Sequence, residues 1–165
     1  MIVVADTSVI LNLCKVGHAD LLTILFKEVW IPEVVRLEFL RLSQTDPRFQ
    51  GLALPHWINV SSALAVRAEV SSLPGLHAGE TAALTLALAK QADAVLMDEA
   101  AGRSAAKKLG LTAIGVLGIL LQSKRSGLIL AIRPVLRQLE DEAGFWLSAG
   151  VVKQALAQAG EEDFA

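Results

Sequence analysis

Two short apolar runs, each followed directly by an acid, constrain the possible folds of this chain more than any other feature. Residues 1–5 precede Asp6, residues 94–97 precede Asp98, and a segment with a helical pattern follows each acid. Such runs are typical of strands that are buried on both faces, as in a parallel sheet covered by helices. Because open parallel sheets bind ligands at the carboxyl ends of their strands, Asp6 and Asp98 can contribute to one site.

The rest of the chain alternates between strand-like and helix-like segments with short connections. Strands are predicted at 1–5, 29–31, 58–60, 94–98 and 112–116. Helices are predicted in one or two segments up to about residue 26, and at 34–42, 79–89, 100–109, 132–142 and 148–159. This alternation indicates an α/β layered fold with a parallel sheet. One domain is predicted over 1–160, with the helices within 132–160 as a cover or an interface and 161–165 as a tail.

Composition narrows the class of function. Hydrophobic residues make up 53% of the chain and charged residues 19%, an excess that suggests an oligomer or a groove for a partner. No apolar run approaches the roughly 20 residues of a membrane span. The single cysteine, Cys14, excludes an internal disulfide and a cysteine-based metal site, so we expect an inert thiol and a cytoplasmic location. The net charge of −2 excludes a global basic field, so any contact with nucleic acid has to be local.

Two further acids occupy helical positions where apolar residues are expected. In the helix predicted at 34–42, the helical period places Glu38 inside the apolar arc, while Arg36 points away. Residues 79–89 are apolar on nearly every side, which predicts a buried helix with Glu80 in its first turn. The positive end of that helix would stabilise the carboxylate.

Gathering several carboxylates in one partly buried pocket is costly unless a cation joins them. Two like charges about 4 Å apart repel by roughly 4 kcal/mol at an effective dielectric near 20, so the acids would otherwise take up protons. Carboxylate ligands favour hard ions, and Mg²⁺ held by a few carboxylates and waters is the usual partner of phosphate chemistry. The four acids Asp6, Glu38, Glu80 and Asp98 therefore predict a Mg²⁺ or Mn²⁺ site.

The order and spacing of these motifs resemble the PIN-domain family of metal-dependent nucleases. The motifs are Asp6-Thr7-Ser8 after an apolar strand, Glu38 in a helix led by Pro32, Gly79-Glu80 with Ala83, Leu86 and Ala87, and Leu96-Met97-Asp98. Residues 108–118 and 124–129 look like a prokaryotic branch of nucleic-acid-binding proteins that is similar to VapC-type toxins. The resemblance extends to about Gly160.

The resemblance implies a three-layer PIN-like domain, with a mostly parallel sheet of about five strands and two added C-terminal helices. It implies a Mg²⁺- or Mn²⁺-dependent endonuclease acting on RNA, with DNA as the second candidate, and the toxin role in a toxin–antitoxin pair. The catalytic residues and metal ligands would be Asp6, Glu38, Glu80 and Asp98. Ser8, next to Thr7, would orient Asp6 or the substrate. The expected partners are a second copy of the chain in a homodimer and an antitoxin protein, with no membrane.

The chain departs from the family pattern at two positions near Asp98. Leu96 occupies the place of a Thr or Ser, and Ala100 occupies the place of another acid, for which Glu99 is the available substitute. Arg103, five residues beyond Asp98, is our candidate for a phosphate contact. The departures keep a second function open, a catalytically idle PIN-like module that binds a partner protein or nucleic acid.

Each candidate residue also has a purely structural interpretation. Asp6 is a good N-cap for the helix that follows it, and Asp98 could cap the next predicted helix. Glu38 could pair with Arg41, and Arg103 could be a surface residue. The three histidines show no zinc spacing and are expected in loops or on the surface. The three tryptophans are expected in the core or at an interface.

Overall fold

Five parallel strands form the centre of the structure, a computed structural model that describes residues 1–161; residues 162–165 of the predicted tail lie outside the described residues. The strands are β1 (Ile2–Ala5), β2 (Glu28–Pro32), β3 (Asn59–Ser61), β4 (Ala94–Leu96) and β5 (Ala113–Ile114). Their order across the sheet is β3-β2-β1-β4-β5, and every neighbouring pair is parallel. The predicted α/β fold with a parallel sheet of about five strands is confirmed.

The order of the strands determines where a site can form. The chain continues from β1 to β2 and β3 on one side, whereas β4 and β5 lie on the other side. The carboxyl end of β1 is therefore a topological switch point, the position at which open parallel sheets bind ligands. Asp6 lies at this point, and its N–H donates a hydrogen bond of 2.9 Å to Leu96 O on β4.

Helices cover both faces of the sheet and produce three layers. They are α1 (Thr7–Lys15), α2 (Leu21–Leu25), α3 (Glu33–Thr45), α4 (Ala68–Ser71), α5 (Ala78–Lys90), α6 (Ala100–Lys108), α7 (Val116–Arg125), α8 (Arg133–Ala143) and α9 (Ala149–Gln158). Alternate residues of a strand point to opposite faces, and Val3 and Ala5 of β1 contact one core while Val4 contacts the other. The first core takes residues from α1, α2, α3, α7, α8 and α9, and the second from α4, α5 and α6.

The structure corrects the predicted ends of two strands and adds two helices. The strand predicted at 112–116 ends at Ile114, because Val116 begins α7, a helix that we did not predict. The buried residues of α7 are Val116, Ile119, Leu120 and Ser123. Their spacing of three and four is that of a helix rather than a strand. The strand predicted at 94–98 ends at Leu96, and the short helix α4 was also not predicted.

The two C-terminal helices pack over the first core. Helix α8 contacts α1, and α9 contacts α7. The carboxylate of Glu161 accepts hydrogen bonds from Ile132 N–H at 2.8 Å and Arg133 N–H at 3.2 Å. The same carboxylate accepts one from Lys124 Nζ at 2.9 Å, so Glu161 connects the end of α9 to α7 and α8. No helix within residues 1–161 combines the length and the hydrophobicity that a membrane span requires.

Candidate functional site

The first acid, Asp6, is held at the carboxyl end of β1 by the helix that follows it. Asp6 is the N-cap of α1, and its Oδ1 accepts a hydrogen bond of 2.8 Å from Thr7 N–H. The residue is buried, with 7% of its surface exposed. The N-cap interpretation thus describes Asp6 correctly, and the cap fixes one oxygen of the carboxylate in the switch-point crevice.

Glu38 and Asp6 approach the same point on α5, the residue Gly79. A Cβ atom on Gly79 would lie 3.2 Å from Asp6 Oδ1 and 3.5 Å from Glu38 Oε2. Because glycine has no side chain, both carboxylates reach the first turn of α5, where the positive helix end stabilises them. Glu38 is half-buried, and among the ion pairs of the described chain none joins it to Arg41.

Glu80 is the most deeply buried of the acids, with 2% of its surface exposed. Its Oε1 accepts a hydrogen bond of 3.0 Å from His77 N–H, which fixes the side chain against the start of α5. Within residues 1–161, its Oε2 has no hydrogen-bond partner. A buried carboxylate oxygen without a partner is strongly unfavourable, so this atom indicates a missing ligand such as a cation or a water.

Glu99 lies beside Glu80, and an exposed histidine completes the group. His77, Glu80 and Glu99 each place one possible ligand atom within 4.8 Å of the other two. Glu99 and Glu38 also line one cleft of about 270 Å³, together with Thr7, Ser8 and Phe145, which we call the acid cleft. The structure therefore brings Glu99 to the group formed by Asp6, Glu38 and Glu80.

The pKa of Asp6 is raised both by burial and by the neighbouring acids. Burial raises the pKa of Asp6 from 3.8 to about 6, and the hydrogen bond from Thr7 N–H opposes this rise. The negative charges of Glu80, Glu38 and Glu99 raise the pKa further. Burial therefore makes ionised Asp6 costly, the neighbouring acids add to this cost, and a bound cation would lower it.

Asp98 occupies a different environment. Both of its carboxylate oxygens accept from Val116 N–H, at 3.2 and 3.3 Å, so Asp98 caps α7 rather than the helix that directly follows it. Burial raises the pKa of Asp98, while the bond from Val116 and the charge of Arg103 lower it. A Cβ atom on Gly115 would clash with Asp98 Oδ1. Asp98 therefore depends on a glycine and a helix end that lie 17 and 18 residues further along the chain.

A second cleft, of about 640 Å³, adjoins Asp98. Its lining includes Asp98, Arg103, Arg125 and Leu147, and we call it the arginine cleft. Arg103 Nη1 donates to Met97 O at 3.2 Å, which directs the guanidinium towards this cleft. The predicted phosphate contact is thus a basic residue in a cleft next to the acids, and its role stays a prediction.

The predicted supporting residues Thr7 and Ser8 carry hydroxyl groups that are buried in the described part of the chain. Neither Thr7 Oγ1 nor Ser8 Oγ forms a hydrogen bond with any residue that the structure describes, and both residues line the acid cleft. Asp6 is oriented by the backbone of Thr7, so the structure does not show the predicted orienting bond from Ser8. The hydroxyl groups remain available to a water or a substrate in the cleft.

The predictions for three residues other than the acids, Cys14, His77 and Trp146, agree with the structure to different degrees. The pKa of Cys14 is raised to about 11, mainly by burial and also by the charge of Asp20, which agrees with an inert thiol. The position of His77 beside Glu80 and Glu99 was missed; its signal was its place directly before the helix of Glu80, at i−3. Trp146 is 72% exposed and does not belong to the core.

Comparison with known proteins identifies one family. A family model described as a PIN domain matches residues 2–161, from β1 to the end of the described chain. The match includes all the candidate acids. No curated protein and no solved structure matches the chain.

Proposed function

Since the chain belongs to the PIN-domain family of nucleases, we propose that it is a metal-dependent endonuclease that hydrolyses RNA phosphodiesters. The observation that carries this proposal is the buried Glu80, whose Oε2 has no hydrogen-bond partner among the described residues. The acids Asp6, Glu38 and Glu99 surround it. Four carboxylates and an orphaned oxygen in one crevice suit a hard divalent cation.

The donor set fits Mg²⁺ or Mn²⁺, for which we propose the ligands Asp6, Glu38, Glu80 and Glu99. When bound, the ion would lower the pKa of a coordinated water and offset the negative charge of the reacting phosphate. We place Glu99 in the position that the motif pattern assigns to Asp98, because the charges that act on Asp6 are those of Glu80, Glu38 and Glu99, while both oxygens of Asp98 accept from Val116 N–H. Asp98 as the fourth ligand stays the sequence-based alternative.

Other groups of the chain prepare the site for its substrate. Thr7 N–H and His77 N–H orient the carboxylates of Asp6 and Glu80. Thr7 and Ser8 present hydroxyl groups that could bind a water or a phosphate oxygen. Arg103 supplies positive charge in the adjoining arginine cleft, where it would bind a phosphate of the RNA.

The similarity of the motifs to VapC-type toxins supports a finer proposal. The chain would be the toxin of a toxin–antitoxin pair, acting in the cytoplasm as a homodimer until an antitoxin binds it. The hydrophobic content of 53% supports an additional protein interface.

One observation favours the second candidate function, an idle PIN-like module that binds a partner. The charges that act on Asp6 come from Glu80, Glu38 and Glu99 rather than from Asp98, so a site that depended on Asp98 as a ligand would lack its fourth acid. A module of this kind would bind a partner protein or nucleic acid without hydrolysing it. Metal binding and cleavage together distinguish the two functions.

The deciding experiment is a calorimetric titration with Mn²⁺, with cleavage of a single-stranded RNA assayed in the same buffer. The wild-type protein should show saturable binding and cleavage, and Asp6→Asn should lose both. Asp20→Asn provides a matched control, because Asp20 is exposed and lies outside the site. Cleavage retained in Asp6→Asn would refute the nuclease site, and an absence of metal binding in the wild-type protein would support the idle module.

A further inference from the structure

The strand β3 forms an edge of the sheet that lacks the usual protection against a further strand. Within residues 1–161, β3 pairs with β2 alone, and an edge strand presents unpaired backbone N–H and C=O groups on its other side. Proteins commonly protect such edges with charged residues or proline, but residues 57–66 contain neither. The opposite edge strand, β5, has two residues, and both are half-buried. The β3 edge is therefore better suited than the β5 edge to accept another strand.

Exposed apolar side chains surround the β3 edge. Val60 of β3 is 38% exposed, and Leu64 and Val66 in the segment that follows are 48% and 50% exposed. Val34, at the start of α3, is 37% exposed. These residues are four of the ten large hydrophobic residues that the described chain exposes this strongly. Apolar residues that are grouped on the surface mark an interaction site, whereas scattered ones do not.

An apolar cavity of about 410 Å³ lies beside the carboxyl end of β3. Three of the exposed residues, Val34, Leu64 and Val66, belong to its lining. The one charged residue of the lining is Glu33, and its carboxylate is already paired with Arg36. The cavity therefore suits an uncharged, apolar occupant.

Thr85 adds one buried polar group to this cavity. The residue lines the cavity and is 2% exposed, and its Oγ1 has no hydrogen-bond partner among residues 1–161. A buried hydroxyl group without a partner is unfavourable, so the cavity has a polar atom that an occupant can satisfy. A free strand edge with a pocket beside it is the arrangement that binds an extended segment by strand addition.

We propose that the β3 edge pairs with the β3 edge of a second copy of the chain, and that apolar side chains from 60–66 of each copy fill the cavity of the other. This inference rests on the proposed homodimer and names its surface. In a closed two-fold dimer both copies contribute the same surface, and edge-to-edge pairing about that axis makes the two β3 strands antiparallel. The pairing would join two five-stranded sheets into one.

The neutrality of the edge favours a second copy as the occupant. Near a two-fold axis every charged residue meets its own copy, and like charges that face each other are destabilising. Residues 57–66 carry no charged side chain, so this strand can meet itself without repulsion. The chain thus supplies the uncharged, apolar segment that the cavity fits, and a strand from another protein is an outcome of the test.

Disulfide cross-linking tests the pairing directly. The single native cysteine is first removed by Cys14→Ala, and one new cysteine is then introduced at a time, as Asn59→Cys, Val60→Cys, Ser61→Cys, Ser62→Cys or Ala63→Cys. Opposed residues of antiparallel strands have Cα atoms about 4.5–5.5 Å apart, a separation that a disulfide can bridge. The position nearest the two-fold axis should therefore cross-link to its own copy. The matched control is Ser104→Cys, because Ser104 is exposed on α6 and lies outside the proposed interface.

A charge on the edge strand provides the second test. Val60→Lys should raise the dissociation constant of the dimer by about tenfold or more, because the two lysines face each other. Leu130→Lys is the control, since Leu130 is 96% exposed and does not line the cavity. Sedimentation over a range of protein concentrations measures both. The acid cleft is lined by other residues, so Val60→Lys should retain Mn²⁺ binding, and loss of the dimer is distinguishable from failure of the nuclease site.

Cross-linking at one or two adjacent positions, together with a weaker dimer in Val60→Lys, supports the inference. A wild-type chain that stays monomeric at every concentration overturns it and leaves the β3 edge to a strand of another protein. A wild-type dimer that Val60→Lys does not weaken, or cross-linking no greater than that of Ser104→Cys, also overturns it and assigns the dimer to a different surface. A chain that cross-links through 59–63 but neither binds Mn²⁺ nor cleaves RNA would support this inference and remove the nuclease proposal.

Discussion

A Cβ atom on Gly102 in α6 would lie 2.5 Å from Glu80 Oε2, too close for a real contact. The buried carboxylate of Glu80 therefore occupies space that any larger residue at position 102 would fill. Met97 Sδ would lie 2.7 Å from the same Cβ. Both neighbours are buried, and Glu80 is further fixed by His77 N–H. The glycine thus permits the position of Glu80, although glycine is a poor helix former.

We expect Gly102→Ala to displace Glu80 and weaken Mn²⁺ binding by about tenfold or more, as loss of a supporting contact does in other metal sites. The added methyl group should also lower the free energy of unfolding by about 1–3 kcal/mol through overpacking, despite the better helix propensity of alanine. Calorimetry and urea unfolding measure the two effects.

Gly150→Ala is the matched control for this substitution. Gly150 lies in α9, and a Cβ atom there would have no neighbour within 4 Å among residues 1–161. The control should be more stable than the wild type by about 0.5–1 kcal/mol with unchanged Mn²⁺ affinity. Unchanged metal binding in Gly102→Ala would show that Glu80 does not need its observed position.

The pKa of Asp6 leads to a second expectation, for the protein in the presence of a chelator. The pKa is 3.8 in the reference state and about 6 in the folded state. Between these pH values the folded state binds more protons than the unfolded state. The free energy of unfolding therefore falls as the pH rises from about 4 to about 6. The full loss is on the order of 3 kcal/mol and persists at higher pH.

Asp6→Asn removes this cost, so at pH 8 without metal it should be more stable than the wild type, and the difference should disappear near pH 4. Excess Mn²⁺ should reverse the order by stabilising only the wild-type protein. Urea unfolding at several pH values, with and without chelator, tests both statements. A wild-type protein whose stability does not change relative to Asp6→Asn over this range would contradict the interpretation of Asp6 as a strained buried acid.

The fold could be predicted to the extent that it follows from local periodicity. The runs before Asp6 and Asp98 indicated β1 and β4, and the uniformly apolar pattern around Glu80 indicated the buried α5. Helix α7 was missed because residues 112–116 look like one more buried strand, whereas Gly115 is in fact the extended N-cap of a helix. The apolar residues of 112–116 fit either structure, and the helical spacing of Val116, Ile119 and Leu120 becomes visible only over the longer segment.

The site was predicted less completely, because side-chain direction depends on distant partners. Asp98 and Glu99 lie beyond the end of β4 at Leu96, so the alternation of side chains along a strand does not determine where they point. The donor that holds Asp98 is Val116 N–H, 18 residues further along the chain, and no local pattern reveals that bond. His77 joins the group through the start of α5, a contact that a count of histidine spacings does not detect.

Glu161 provides a third expectation, about the C-terminal helices. Its carboxylate accepts from two backbone N–H groups at the start of α8 and from Lys124. Burial would raise the pKa of Glu161, but these hydrogen bonds and the charge of Lys124 hold the pKa below its usual value. The stabilisation is therefore present above the unfolded-state pKa and is lost as the pH falls through the lower folded-state pKa.

Glu161→Gln should lower the free energy of unfolding at pH 7 by about 1–3 kcal/mol, since it weakens hydrogen bonds to a charged acceptor. The difference from the wild type should shrink in acid, where Glu161 is protonated in both states. Glu142→Gln is the control, because Glu142 is exposed on the same part of the chain. Equal stabilities of Glu161→Gln and the control at pH 7 would show that this contact does not stabilise the helices.

The fourth expectation separates the roles of Asp98 and Glu99. Asp98 caps α7 by accepting from Val116 N–H. Asp98→Ala should therefore lower the free energy of unfolding by about 1 kcal/mol. Asp98→Asn keeps a hydrogen-bond acceptor and should lower the free energy of unfolding by less. Glu99 is exposed, so Glu99→Gln should leave the free energy of unfolding unchanged. Because Glu99 lies beside Glu80, the same substitution should weaken Mn²⁺ binding by about tenfold or more. Calorimetry and urea unfolding on the three variants test this division. If Asp98→Asn abolishes Mn²⁺ binding and Glu99→Gln does not, Asp98 rather than Glu99 is the fourth ligand.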